Sequence, residues 1–193
     1  LGVFSLFYYG RKYLQRWLVT KKVYGAGTEQ RILVPLANPV TAVDLIKVAG
    51  MIAKASQNTT LCAFTVLTPP AKLSPQMTER LLTQKRVEQR KALDRVIQSI
   101  DEYELPFFPK VSIAHSVVEG IMNEIKNHAG TKLVLTGWPG KMDSGSLKNN
   151  VVNELLISAR TNVAVFLDRG FQLSSSILVP VGHNPHARLA ARL

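Results

Sequence analysis

Two glycines three residues apart form the pattern in this sequence that most favours binding chemistry. Gly137 and Gly140 follow the apolar run 132–136 and precede a polar loop that leads into a helical pattern beginning at Val151. Glycines let backbone N–H groups approach a phosphate closely, and the N-terminus of a following helix favours negative charge. The alternative is that both glycines only form a tight turn. Trp138 between them is predicted to be a packing residue rather than one that stacks on a base.

Catalytic and metal-binding patterns are weak. His183 and His186 lie three residues apart, but no acid or cysteine is near them, so we expect no metal site. No Ser/His/Asp or Cys/His signature occurs, and Asp143 is the one acid between positions 137 and 150. Cys62, the single cysteine, lies in an apolar run and is predicted to be a buried thiol. We therefore expect a protein that is not an enzyme.

The elements that would position the glycine loop alternate between strands and helices. Apolar runs predict the five strands 31–36, 59–67, 107–113, 132–136 and 162–167. Helical patterns begin near Thr41, Ser74, Ser116 and Val151. This alternation predicts an α/β fold with a five-stranded, mostly parallel sheet and helices on both faces. Such sheets bind ligands beyond the carboxyl ends of their strands, at the point where the strand order reverses. The loops 36–39 and 137–150 are therefore the candidate binding loops.

Two of the predicted helices carry recognisable start signals. Ser74-Pro75 combines an N-cap serine with a proline at the first helical position. Ser116 and Glu119 form a capping-box pattern. The charged stretch Lys85–Lys91 within the second helix is interpreted as a solvated face rather than as a binding site.

The first thirty residues form a separate unit. Residues 1–10 carry no charge, and the five basic residues that follow before any acid are Arg11, Lys12, Arg16, Lys21 and Lys22. We expect residues 1–30 to comprise the end of a transmembrane helix and a basic juxtamembrane segment on the cytoplasmic side. The alternative is an amphipathic helix that packs on its own domain or lies flat on a membrane. The formal charge is +11, and outside this cluster the basic excess is spread through the domain and interleaved with acids. This distribution favours a membrane surface over nucleic acid as the partner.

One segment of the sequence begins twice. Ile32-Leu33-Val34-Pro35 recurs as Ile177-Leu178-Val179-Pro180, and in each copy Asn-Pro and an Ala/Leu-rich helical pattern follow. A tandem duplication is the better explanation of this shared order. The predicted organisation is thus a juxtamembrane segment at 1–30, one domain at 31–170 and the start of a second, truncated copy at 171–193.

The order of these elements resembles the universal stress protein family over about 31–167. The resemblance depends on the Ile32–Pro35 opening, the 133–137 strand end, Gly137 with Gly140, and the closing strand 162–166. It implies the adenine nucleotide alpha hydrolase-like fold. Some members bind ATP, with an Asp after the first strand and a Gly-Ser or Gly-Thr pair after the glycine loop.

This chain departs from that ATP-binding pattern at both ends. Ala37 stands in place of the Asp, and Asn149-Asn150 in place of the Gly-Ser or Gly-Thr pair. The resemblance leaves a degenerate candidate nucleotide loop, whose residues are Val34, Gly137, Gly140, Asn149 and Asn150. We therefore expect no cofactor, with ATP as the alternative.

A closer resemblance comes from the apolar-then-basic start joined to Arg31-Ile32-Leu33-Val34-Pro35-Leu36-Ala37-Asn38-Pro39. This arrangement is similar to the cytosolic tails of prokaryotic amino-acid permeases of the APC superfamily, with prokaryotic cation–chloride cotransporters as the alternative. It implies a non-catalytic regulatory or assembly domain, attached to its own transmembrane portion and forming a homodimer through the α/β domain, without nucleic acid. The competing interpretation is a soluble, nucleotide-binding universal stress protein.

Overall fold

The computed structural model describes residues 30–37, 43–56, 58–70, 74–98, 107–138, 151–168, 170 and 172. Several sequence predictions lie outside these residues: the membrane-proximal segment 1–29, Gly140, Asn149-Asn150 and the second repeat from Ile177.

Five strands alternate with four helices along the described chain. The strands are β1 Gln30–Pro35, β2 Thr59–Leu67, β3 Phe107–Ile113, β4 Thr131–Gly137 and β5 Asn162–Phe166. The helices are α1 Val43–Ala55, α2 Pro75–Gln98, α3 Val117–Asn127 and α4 Val151–Ser158. Each predicted strand is present, and the ends of the strands lie within one residue of the predicted positions.

The strands form a single sheet in the order β3-β2-β1-β4-β5, and every neighbouring pair is parallel. Leu33 at the centre of β1 is level with Cys62 on β2 and with Val134 on β4. The predicted five-stranded parallel architecture is confirmed. Because β1 pairs with β2 on one side and with β4 on the other, the strand order reverses between β1 and β4.

The sheet is buried on both faces. Alternate residues of β1 point to opposite sides, so Val34 joins the apolar cluster under α1 and α2, whereas Leu33 joins the cluster under α3 and α4. Ile46 and Leu93 fill the first cluster, and Ile121 and Leu155 fill the second; all four are completely buried. This two-sided burial is why the strands are nearly continuous apolar runs rather than alternating ones.

Local signals in the sequence set the starts of two helices. The Ser116 side chain accepts a hydrogen bond from the Glu119 N–H at 3.1 Å, and the Glu119 carboxylate accepts one from the His115 N–H at 3.1 Å. At the start of α2, the Met77 N–H donates to the Ser74 hydroxyl at 3.4 Å. Both predicted N-caps are confirmed.

The charged part of α2 faces solvent. Between Lys85 and Lys91 every residue is exposed except the half-buried Gln89, as the sequence predicted. Within the described residues, no helix has both the length and the apolar character that a membrane span requires.

Candidate functional site

A cleft of about 410 Å³ opens where the strand order reverses. The end of β1 contributes the residues from Pro35 to Ala37, and the end of β4 contributes those from Thr136 to Trp138. Parallel strands on either side of a reversal send their following chains to opposite faces of the sheet, which leaves this space between them. The cleft is thus the binding position that the fold itself creates.

The walls of the cleft come from both helical layers and are mostly apolar. Leu45 of α1 lines one side, Ile121 of α3 and Val152 of α4 line the other, and Phe166 lies at the end of β5. A concave, largely apolar space with a few polar groups is the usual form of a small-molecule site. The cleft therefore has the form of a small-molecule site.

Backbone hydrogen bonds hold both rims of the cleft in place. The Leu36 N–H donates to the Phe64 carbonyl oxygen at 2.7 Å, which fixes the chain beyond the end of β1. The Trp138 N–H donates to the Phe166 carbonyl oxygen at 2.8 Å, which ties the chain beyond β4 to β5. The rims therefore continue the sheet pairing by one residue past the strand ends.

The charged groups that line the described cleft are acidic. Asp44 forms an ion pair with Lys47 at 3.1 Å, and Asp168 accepts a hydrogen bond from the Gly170 N–H at 2.9 Å. Among the described lining residues there is no lysine or arginine. The described lining therefore offers a chain of phosphates no cationic side chain.

The predicted site residues do not all lie at the cleft. Gly137 lines the cleft as the last residue of β4, and a Cβ built there would lie 3.7 Å from Leu45 Cδ2, an ordinary contact. Ala37 also lines the cleft and is exposed. Val34 is completely buried in the core and is not part of the lining. Gly140, Asn149 and Asn150 lie outside the described residues.

Sequence reasoning did not select Leu45, Phe166 or Asp168 as site residues. Leu45 lies within the helical pattern predicted to begin near Thr41, and Phe166 lies within the predicted strand 162–167. Their role depends on the strand order, since β4 lies between β1 and β5. The sequence signal that could have found them is their position just after, or opposite, the carboxyl end of a predicted strand.

A polar cluster lies at the other end of the sheet from the cleft, where β1 and β4 begin. The buried Arg31 guanidinium donates to the Glu124 carboxylate at 2.7 Å and to the Thr131 hydroxyl at 2.9 Å, and the Lys110 ammonium reaches the other Glu124 oxygen at 2.7 Å. Nδ1 of His128 lies 3.2 Å from Glu124 Oε1 without an aligned hydrogen bond. The sequence signal for this cluster was an arginine inside the apolar opening strand.

Burial and charge shift the acid–base properties of this cluster. Burial alone would raise the pKa of Glu124, but hydrogen bonds and positive charge from Lys110 and Arg31 outweigh it and hold the pKa below its usual value. Burial, reinforced by the Arg31 charge, lowers the pKa of His128. The cluster thus combines an ionised carboxylate with a neutral imidazole near pH 7, and it contributes to the interior rather than to the cleft.

Comparison with known proteins identifies the fold. No family model and no curated protein matches the sequence. Among solved structures, universal stress protein UspA from Lactobacillus plantarum is 21% identical, with a TM-score of 0.60 over 72% of this chain and 99% of that one. A universal stress protein in complex with cAMP is 18% identical, with a TM-score of 0.51 over 73% of this chain and 98% of that one.

A third solved structure has the same fold at lower identity. The universal stress protein from Archaeoglobus fulgidus in complex with dAMP is 10% identical, with a TM-score of 0.52 over 72% of this chain and 98% of that one. The chain therefore contains an α/β domain with a ligand-sized cleft at its strand-order reversal. Its fold is that of universal stress protein domains, as the sequence resemblance implied.

Proposed function

We propose that this domain is a non-catalytic binding module for an adenine nucleoside or nucleoside monophosphate, which it holds in the cleft between the ends of β1 and β4. The observation that supports the proposal most is the cleft itself, about 410 Å³ in volume and lined by residues from Pro35 to Ala37 and from Thr136 to Trp138. A cleft of this size suits a ligand as large as a nucleoside.

The ligands of structurally similar proteins also support this ligand class. Two of the three solved structures described above carry cAMP and dAMP, which share an adenine ring and a single phosphate. The described lining offers no lysine or arginine to a chain of phosphates, which favours a nucleoside or monophosphate over ATP. Ala37 stands where ATP-binding members of the family carry an Asp, so one contact of the ATP-binding pattern is missing.

Calorimetric titration of the whole chain with adenosine, AMP, cAMP and ATP tests the proposal. Adenosine or a monophosphate should bind more tightly than ATP, and binding should release heat in a saturable way. No saturable heat with any of the four ligands would refute the function.

A blocking variant locates the binding. Ala37 is exposed and lines the cleft, so Ala37→Phe should fill the space without disturbing the core and should abolish binding. The control is Gln84→Phe, which adds the same ring to an exposed position on α2 and should leave the affinity unchanged. Equal affinities in the two variants would place the ligand elsewhere.

A second function is supported by the sequence of residues 1–22, where an uncharged apolar stretch precedes five basic residues. We propose that this segment attaches the domain to a membrane, as the cytosolic part of a secondary transporter such as an amino-acid permease. The tandem opening at Ile177 supports this arrangement. Apolar segments of membrane-spanning length upstream of Leu1 in the reading frame are the expected finding, and a frame without any would exclude the transporter.

Membrane attachment can also be measured directly. Vesicles of phosphatidylcholine and phosphatidylglycerol should sediment the protein better than vesicles of phosphatidylcholine alone. Replacing the five basic residues with glutamine should remove the difference. Equal sedimentation before and after replacement would argue against the basic segment as the contact.

A further inference from the structure

Trp138 is the large aromatic residue at the mouth of the cleft. It follows directly after β4, it lines the cleft, and it is only half-buried. A tryptophan offers a large, flat apolar area to whatever packs against it. The accessible part of Trp138 lies next to the open space of the cleft.

The attachment of this side chain is rigid. The backbone N–H of Trp138 donates to the Phe166 carbonyl oxygen at 2.8 Å, and the preceding Gly137 is level with Phe166 in the parallel pairing of β4 and β5. The backbone at Trp138 is thereby fixed relative to two strands. A tryptophan has only two side-chain torsions, so little conformational freedom would be lost when a ligand orders it.

Other sources of affinity are limited in the described part of the cleft. Its charged side chains are Asp44 and Asp168, and no lysine or arginine of the described lining attracts a phosphate. Two other aromatic residues line the cleft: Phe64, which is completely buried, and Phe166, which is half-buried at the end of β5. Affinity in this part of the cleft must come from apolar and aromatic contact.

We infer that Trp138 determines the specificity of the cleft by stacking its indole on the ring of a flat aromatic ligand with little negative charge, such as a nucleoside. This inference rests on the proposed function, since it assigns the main contact of the same site. Stacking against a base is tolerant of base identity, because every base has a π face. The cleft should therefore select for an aromatic ring more strongly than for adenine itself, and guanosine should bind within a few-fold of adenosine.

The experiment uses the two tryptophans of the chain. Trp17→Phe leaves Trp138 as the sole indole fluorophore, and titration with adenosine should then quench or shift its emission in a saturable way. In calorimetry, Trp138→Leu should weaken adenosine binding about 10- to 100-fold, whereas Trp138→Phe should stay within a few-fold of the unchanged protein. Phe107→Leu, which removes a half-buried ring away from the cleft, is the matched control and should not alter the affinity.

The possible outcomes separate this inference from the proposed function. Calorimetric binding of adenosine with no change in Trp138 emission, and with unaltered affinity in Trp138→Leu, would overturn the stacking role and leave the binding function intact. Absence of binding to the unchanged protein would refute both. Should Trp138→Leu fail to fold, the fluorescence titration of Trp17→Phe together with the Trp138→Phe affinity decides the question.

Discussion

Arg31 and Glu124 form an ion pair in the protein interior, with Nη1 of the guanidinium 2.7 Å from Oε1 of the carboxylate, although 93 residues separate them in the chain. Arg31 also donates to the Thr131 hydroxyl and to the Glu124 carbonyl oxygen, and Lys110 contacts the second carboxylate oxygen. Each charge in the pair is thus hydrogen-bonded. The pair joins the start of β1 to α3 and to the start of β4.

Removing one charge from this pair should destabilise the fold strongly. Glu124→Gln keeps the shape of the side chain but leaves the buried Arg31 without its counter-charge, so the free energy of unfolding should fall by about 3–5 kcal/mol. Urea denaturation measures the loss. The control Asp94→Asn breaks an exposed pair with Arg90 and should cost at most about 1 kcal/mol. Similar small losses of unfolding free energy in both variants would show that the buried pair does not stabilise the fold.

Stability should decline in two steps as the pH falls. The pKa of His128 is lowered from its ordinary value of 6.5 in the folded protein, so folding favours the neutral imidazole. The protein therefore has its full stability above pH 6.5 and loses stability as the pH falls toward the pKa of His128 in the folded state. The pKa of Glu124 is lowered from 4.5, so the stability that its ionised carboxylate contributes is lost only at more acidic pH.

A variant can assign the first of these two steps. His128→Gln should flatten the dependence of the unfolding free energy on pH just below 6.5 and should leave the more acidic step in place. The measurement is a series of urea denaturation curves across both pH ranges. An unchanged upper step in His128→Gln would assign that step to another group.

Gly120 lies where α3 makes its tightest contact with the sheet. A Cβ built there would lie 2.7 Å from both methyl groups of Val66 and 3.3 Å from Ala114 Cβ. Gly120→Ala should therefore lower the unfolding free energy by about 1–3 kcal/mol, because the stiff Val66 side chain cannot move aside and the clash outweighs the better helix propensity of alanine.

Two further variants check that the cause is steric. Adding Val66→Ala to Gly120→Ala should restore part of the stability, since it removes the methyl groups that clash. Gly137→Ala, where the new methyl group would meet Leu45 at an ordinary distance, should change stability by less than about 1 kcal/mol. A Gly120→Ala variant as stable as the unchanged protein would mean that α3 can shift away from β2.

The thiol of Cys62 should be unreactive in the folded protein. It is completely buried, and burial raises its pKa to about 12, so very little of the reactive thiolate forms near neutral pH. An aromatic disulfide reagent should modify the protein rapidly in denaturing urea and very slowly without it. Fast modification under native conditions would reveal local opening of β2.

Local patterns in the sequence were sufficient for the secondary structure and for the class of fold. Strand β2 begins and ends where its apolar run does, and Ser116 with Glu119 marks the start of α3, because caps and runs act over a few residues. The alternation of strands and helices then favoured a parallel sheet, since parallel neighbours need a crossover. The resemblance to universal stress proteins used the same features.

The sequence patterns identified only part of the candidate site. Gly137 was selected and does line the cleft, whereas Val34 was selected as part of the opening strand and lies in the core. Gly137 is the last residue of β4 and lies at the cleft, whereas the side chain of Val34 belongs to the apolar cluster under α1 and α2. The strand pattern in the sequence did not show which strand residues face the cleft.

The sequence by itself determined where the strands and helices form, which of their residues avoid water, and that the chain carries a basic segment and a repeated opening. Only the tertiary structure decided the order β3-β2-β1-β4-β5, the meeting of Arg31 with Glu124, and the placement of Trp138 beside the cleft. The reason is physical. Propensities and caps act between residues a few positions apart, whereas strand order depends on the combined packing of both helical layers against one sheet.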